Sequence, residues 1–163
     1  MKNLLFYTSF FLLFSGLVAQ NSLVKNVPFT NIGPSIMSGR IVDIDINPNN
    51  TTEFYAAYAS GGLWYTNNNG TSFVSVTENA PTQNMGDVAV DWENGTIYIG
   101  TGESNSSRSS YAGIGILKST DKGKTWELVG LENSQHIGRI IINKNNPNEV
   151  LVGVIGNLYT PNT

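Results

Sequence analysis

Cysteine is absent from the sequence, and histidine occurs once. Without thiols the chain can hold neither a disulfide framework nor a zinc finger, so its stability has to come from burial and strand pairing. One histidine among scattered carboxylates sets no metal-ligand spacing, and neither a metal nor another cofactor is expected. Charge is scarce as well: the charged residues are 13% of the 163, and 9 Lys+Arg against 12 Asp+Glu leave a net charge of −3. That is about half the usual charged share. With no basic run, neither a nucleic-acid groove nor an anionic membrane patch is the expected partner. The longest apolar stretch, Leu4 to Val18, is shorter than the roughly 20 residues a membrane-spanning helix needs.

What the sequence does have is turn chemistry, with 21 Asn, 17 Gly, 15 Ser and 14 Thr. Apolar residues come in pieces of four to seven bounded by Gly, Asn or Pro, among them Ile41 to Ile46, Phe54 to Tyr58, Thr96 to Ile99, Ile114 to Lys118, Arg139 to Ile142 and Val150 to Val154. Beyond the N-terminal apolar stretch, no window of eleven residues carries a helical stripe, so an all-β chain is expected. The N-terminus reads as Lys2, a short apolar core and Ala19, the pattern of a signal peptide cut after Ala19. The expected location is therefore secreted or cell envelope. Loss of Lys2 would lower the net charge from −3 to −4.

Internal repeats point to an architecture. Ser38-Gly39-Arg40-Ile41-Val42-Asp43 and onward to Asn49 aligns with Ile137-Gly138-Arg139-Ile140-Ile141-Ile142 and onward to Asn148, and Met85-Gly86-Asp87-Val88 starts a third copy. Thr66-Asn67-Asn68-Asn69-Gly70-Thr71-Ser72-Phe73 likewise matches Ser119-Thr120-Asp121-Lys122-Gly123-Lys124-Thr125-Trp126. Four short strands per unit make a propeller blade. The predicted organisation is a signal peptide at 1–19, a lead-in at 20–32 and a partial β-propeller at 33–163. Its blades are expected near 33–78 and 84–130, with a third, at 136–163, incomplete. About two and a half blades do not close a ring, so the remaining blades of a longer chain are an expected partner; ring-like oligomers of a short independent protein are the alternative.

Ser119-x-Asp121-x-Gly123-x-Thr125-Trp126 resembles the Asp-box of BNR repeats, found in sialidase, sortilin/Vps10, xyloglucanase-type and photosystem-II-assembly-factor-like propellers. In such a turn the hydroxyl and carboxylate bond the turn's own backbone, Gly123 takes a positive φ and Trp126 plugs the hairpin. Thr66, Asn68, Gly70, Ser72 and Phe73 form a softer copy. The role expected for both is structural. Gly100 to Asn105, Arg108 to Ser119 and Gly130 to Ile140 resemble the opening blades of large secreted bacterial proteins with a Vps10/sortilin-type propeller, often labelled glycosyl hydrolase-like. That resemblance implies a binding or scaffold module for a protein, peptide or glycan, with part of a glycoside hydrolase as the alternative.

Glycoside hydrolysis needs two carboxyl groups about 5 to 9.5 Å apart across one sugar bond. Glu103, at a strand end, and Asp87, after Gly86, are the catalytic candidates. Xyloglucanase-type propellers carry their base, an Asp, before the Gly-Gly of the first blade, where this sequence has Ser60 before Gly61-Gly62. Sialidases open with Arg-Ile-Pro, where Arg40-Ile41 is here followed by Val42. Glu103, Asn105, Arg108, His136 and Arg139 remain as a candidate binding set. Glu103 and Arg108 are expected to pair across the Ser-rich loop from Ser104 to Ser110, the best candidate for a binding edge. Arg40 and Arg139, placed equivalently by the repeat alignment, are expected to brace blade against blade. The strand aromatics Tyr55, Tyr58, Trp64, Tyr65 and Tyr98, with Tyr111, are expected chiefly in the core.

Overall fold

A computed structural model describes residues 39 to 159 and Pro161. The expected signal peptide, the lead-in and residues 33 to 38 of the first blade lie outside the described residues. Every regular element described is a strand. β1 (Ile41–Ile46), β2 (Phe54–Tyr58), β3 (Gly62–Thr66) and β4 (Val74–Ser75) form one antiparallel meander. β5 (Met85–Asp91), β6 (Thr96–Thr101), β7 (Ile116–Ser119) and β8 (Glu127–Leu128) form a second, and β9 (Ile137–Ile142) pairs with β10 (Val150–Val154). The chain is an all-β partial propeller, with two four-stranded blades and the inner half of a third.

The core lies between blades. Leu63, Met85, Ile97, Ile99 and Leu117 are fully buried in one cluster with Tyr55 and Ala57, joining the first sheet to the second. A second cluster, of Ala89, Tyr98, Ile116, Ile137 and Ile140, joins the second sheet to β9. The middle strands of the second blade are buried on both faces, so β6 reads Ile-Tyr-Ile and does not alternate apolar with polar. Each such side chain taken fully from water contributes about 1.5–3 kcal/mol.

The registers correct the repeat alignment. Irregularities between Ile41 and Asp43, between Met85 and Asp87 and opposite Gly153/Val154 leave Val42, Gly86 and Gly138 as the bulged residues of β1, β5 and β9. Asp43, Asp87 and Arg139 are therefore equivalent. Backbone bonds agree: Ala59 N–H donates to the Arg40 carbonyl at 2.9 Å, Gly102 N–H to Asn84 at 3.0 Å and Ile155 N–H to His136 at 2.9 Å. Arg40 thus corresponds to Asn84 and His136, not to Arg139. The two Gly-Arg dipeptides lie three residues out of the structural register, because the bulge, not the glycine, marks it.

The asparagines do the work expected of turn residues. Asn47 Oδ1 accepts the Asn49 N–H at 2.9 Å while its Nδ2 donates to Glu53 at 2.7 Å. Asn143 repeats both bonds, with Asn145 at 3.0 Å and Glu149 at 2.7 Å. In β5–β6, Asp91 caps the turn in their place, receiving Asn94 Nδ2 at 2.7 Å.

Candidate functional site

Where β2 and β6 end and β1 and β9 begin, the chain builds a polar face. Its foundation is Thr101, whose hydroxyl donates to the Gly115 carbonyl at 2.6 Å and accepts the N–H groups of Ile114 at 2.7 Å and Gly115 at 3.0 Å. Gly102 follows at φ +84°, turning the chain so that Glu103 points inward with 1% exposure. The Glu103 carboxylate forms an ion pair with Arg40 of the first blade. It also accepts Asn105 Nδ2 at 3.0 Å and the Ser110 hydroxyl at 3.4 Å. Arg40 reaches on to Ser107 at 3.0 Å and Ser109 at 3.5 Å. The partner expected for Glu103 was Arg108; that residue is exposed on the loop and the pair forms across the blade boundary. A buried carboxylate needs a cation that the fold holds, and Arg40 precedes a strand, whereas Arg108 sits at a loop tip.

His136 is buried, with Nδ1 at 2.9 Å from the Glu103 carbonyl. A carbonyl only accepts, so in this bond Nδ1 carries the proton. The ring ties the start of β9 to the same loop. Tyr159, 74% exposed, closes the far side by donating to the Ser107 carbonyl at 3.0 Å, and Tyr111 is 58% exposed nearby in sequence. Tyr55, Trp64 and Tyr98 lie in the core.

A second constellation runs along the inner strands, and sequence reasoning missed its purpose. Asp43 accepts the Val88 N–H at 3.3 Å, Asp45 accepts Val90 at 2.9 Å and Trp92 Nε1 at 2.7 Å, and Asp87 accepts Ile140 at 2.6 Å. Each carboxylate thus satisfies backbone donors on the inner strand of the following blade. Arg139 lies 3.6 Å from Asp87 and 3.8 Å from Asp43, bracing all three inner strands. The available signal was Ile-Val-Asp-Ile-Asp-Ile itself, since carboxylates on an inner strand need donors close at hand. Together these strands line a hollow of about 510 Å³ that includes Asp43, Asp45, Ile44, Arg139 and Lys144.

Burial, with the neighbouring Asp43 adding to it, pushes Asp87 up to about 7 despite the Ile140 bond and Arg139. A raised carboxyl means the folded state holds a proton that the unfolded state has lost above about pH 4. Stability from this group is full below that pH and declines as pH rises toward 7. In thermal melts, Asp87→Asn is expected to flatten the decline between pH 4 and 7; an unchanged slope would remove Asp87 as its source.

The Ser119 and Thr66 turns have matching bonds. Ser119 Oγ donates to Asp121 at 2.8 Å and accepts the Gly123 N–H at 2.8 Å, while Asp121 accepts Thr125 N–H at 2.9 Å and Oγ1 at 2.6 Å. Thr66 bonds Asn68 at 2.9 Å and Gly70 at 3.1 Å, and Asn68 bonds Ser72 N–H at 3.0 Å and Oγ at 2.9 Å. Gly123 has φ +86°. Trp126 does more than plug its own hairpin: Nε1 donates to the Val76 carbonyl of the previous blade at 2.9 Å. Phe73, lacking that donor, packs edge-on against Phe54 at 5.9 Å.

The bonds from Thr125 hold the Asp121 carboxyl down at about 2. A depressed carboxyl contributes stability that is present above about pH 4 and lost as pH falls toward 2. Asp121→Asn is expected to lose that acid dependence and keep the fold near neutral pH, as Asn68 does in the first blade. Melting curves from pH 2 to 5 check it, and an undiminished acid limb in the variant would contradict it.

Stacked antiparallel blades with inner strands side by side and bonded turns between the outer strands define a segment of a β-propeller. No protein-family profile matches the sequence, and no curated protein matches it. Among solved structures, a GH74 enzyme of Niastella koreensis is 25% identical with a TM-score of 0.50 over 63% of this chain. An ancestral GH74 enzyme is 18% identical with a TM-score of 0.54 over 70% of this chain. The chain spans 16% of the length of either structure.

Proposed function

We propose that the chain is the wall of a secreted propeller that binds a glycan at the face around Arg40, Glu103 and the Ser104 to Ser110 loop. The observation that supports binding over catalysis is the state of the two candidate acids. Glu103 is buried and occupied by Arg40, Asn105 and Ser110, and Asp87 is buried and occupied by Ile140 N–H. Neither is placed to exchange a proton with a sugar oxygen. The face instead offers hydroxyls, amides and the exposed ring of Tyr159, bonded to Ser107, a set suited to sugar hydroxyls and C–H faces. The likeness to a GH74 enzyme supports a glycan over a peptide. The Vps10/sortilin resemblance and the turns at Ser119 and Thr66 support a BNR-type scaffold.

The alternative is a hydrolase whose carboxylates lie mostly outside these blades. Affinity electrophoresis of the full chain in gels cast with soluble β-glucans, beside a reducing-sugar assay, separates the two. Retardation without turnover, weakened in Asn105→Ala, is the expected result. Turnover that disappears in Glu103→Gln or Asp87→Asn would overturn the binding reading. Export is read from the N-terminal pattern, and N-terminal sequencing of the protein recovered outside the cytoplasm is expected to begin at Gln20.

A further inference from the structure

A cleft of about 230 Å³ opens between the first two blades, at the end of the strands opposite the polar face. Asn47, Glu53, Tyr55 and Tyr65 line it from one blade, Trp92 and Lys122 from the other. Tyr55 is the unusual member. The residue as a whole is 4% exposed, and it lines the cleft. Burial raises the Tyr55 pKa, so the group stays a neutral O–H able to donate and accept.

The rest of the cleft is arranged around it. Glu53 is fixed by Asn47 Nδ2 at 2.7 Å and by the Tyr65 hydroxyl, which leaves carboxylate lone pairs free to accept from a ligand. Lys122, held at φ +62° in the Ser119 turn, makes no ion pair among the described residues. Its stem lies beside Gly95, with Cε 3.4 Å from where a Cβ would stand. Trp92 is anchored by Asp45 at 2.7 Å. Tyr55 touches Tyr65 and Trp92 at ring-centroid distances of 4.9 and 5.3 Å, so the rings form one continuous apolar wall. An open aromatic box around an ammonium ion would need its rings further apart.

We infer that this cleft binds one pyranose-sized neutral polyol, a terminal sugar residue, with a hydroxyl pair between Tyr55 and Glu53 and a C–H face on Tyr65 and Trp92. Three features choose this class. Glu53 only accepts, Lys122 only donates and Tyr55 does both, a mixture that vicinal hydroxyls satisfy. The opposite charges of Glu53 and Lys122 cancel, which favours an uncharged ligand. The volume suits one ring and not a chain. The site goes beyond the proposed function, since it uses no residue of the polar face.

The three indole N–H signals of the ¹⁵N-labelled full chain provide the test. Titration with methyl β-D-glucopyranoside or methyl β-D-galactopyranoside is expected to shift the Trp92 signal and to leave that of Trp64 in place. Tyr55→Phe is expected to weaken the titration about fivefold, the worth of one hydrogen bond. Its melting temperature should be unchanged, because the residue lines the cleft and the ring stays in place. Lys122→Gln, at an exposed position, is expected to weaken it as well. Asn105→Ala, on the polar face, should not, so failure of the face reading and failure of this one are distinguishable. No Trp92 shift with either glycoside, a shift with glycine betaine alone, or equal affinity in Tyr55→Phe would each overturn the inference.

Discussion

Gly102→Ala is expected to unfold the junction of the second and third blades, at a cost above about 4 kcal/mol, a large part of the 5–15 kcal/mol typical of a domain. Two effects combine. At φ +84° an L side chain is strained, and a Cβ there would stand 1.8 Å from the Gln135 carbonyl oxygen and 2.5 Å from the Gly113 nitrogen. Both neighbours are backbone, and they bond each other at 2.6 Å, so neither can yield. Gly130→Ala is the control: its φ is +132°, with nothing within 4 Å of the added Cβ, so it meets backbone strain alone, about 1–3 kcal/mol. Urea denaturation of the two variants measures the difference. Equal midpoints would mean that packing at Gly102 is looser than the geometry described above.

Arg40→Ala is expected to destabilise the chain by about 2–3 kcal/mol, below the usual range for breaking a buried pair because the Arg40 side chain is 42% exposed. The loss arises less from the attraction itself than from the Glu103 carboxylate left at 1% exposure with only Asn105 and Ser110. Adding Glu103→Gln to Arg40→Ala is therefore expected to recover about 1 kcal/mol, since a neutral amide costs less to bury than an unpaired charge. The two changes being simply additive in urea melts would show that Arg40 acts on the serine loop and not on Glu103.

Much of the fold was legible in the residues, and for local reasons. The Gly- and Asn-bounded apolar pieces became strands because their alternation and turn chemistry act within a few residues. The Ser119 and Thr66 turns formed the bonds expected of them, since every partner lies within four positions along the chain. What failed was anything that required knowing which residues face each other across a blade boundary. Arg40 and Arg139 both follow glycine, yet the bulges at Val42, Gly86 and Gly138 set the register and align Arg40 with His136. Glu103 has Arg108 five residues away, yet its ion-pair partner is Arg40 in another blade. Trp126 also bonds Val76 of the previous blade, a contact that no local pattern encodes.

The candidate site divides in the same way. Glu103, Asn105 and the Ser104 to Ser110 loop stood out by composition, and they come together at one face. The Asp43, Asp45 and Asp87 bonds, the Tyr159 hydroxyl over Ser107 and the cleft beneath Tyr55 had no local signature, because each joins residues from different strands or different blades.

By itself, then, the sequence determined an all-β chain of repeated four-stranded units with self-bonded turns, without thiols and with little charge, because periodicity, φ preferences and side chain to backbone bonds are short-range properties. Only the tertiary structure decided which carboxylates are spent on the next blade's N–H groups, which arginine neutralises Glu103 and which side chains line the cleft between the first two blades. Those outcomes depend on burial and on distances between residues far apart in the chain, which a linear pattern does not encode.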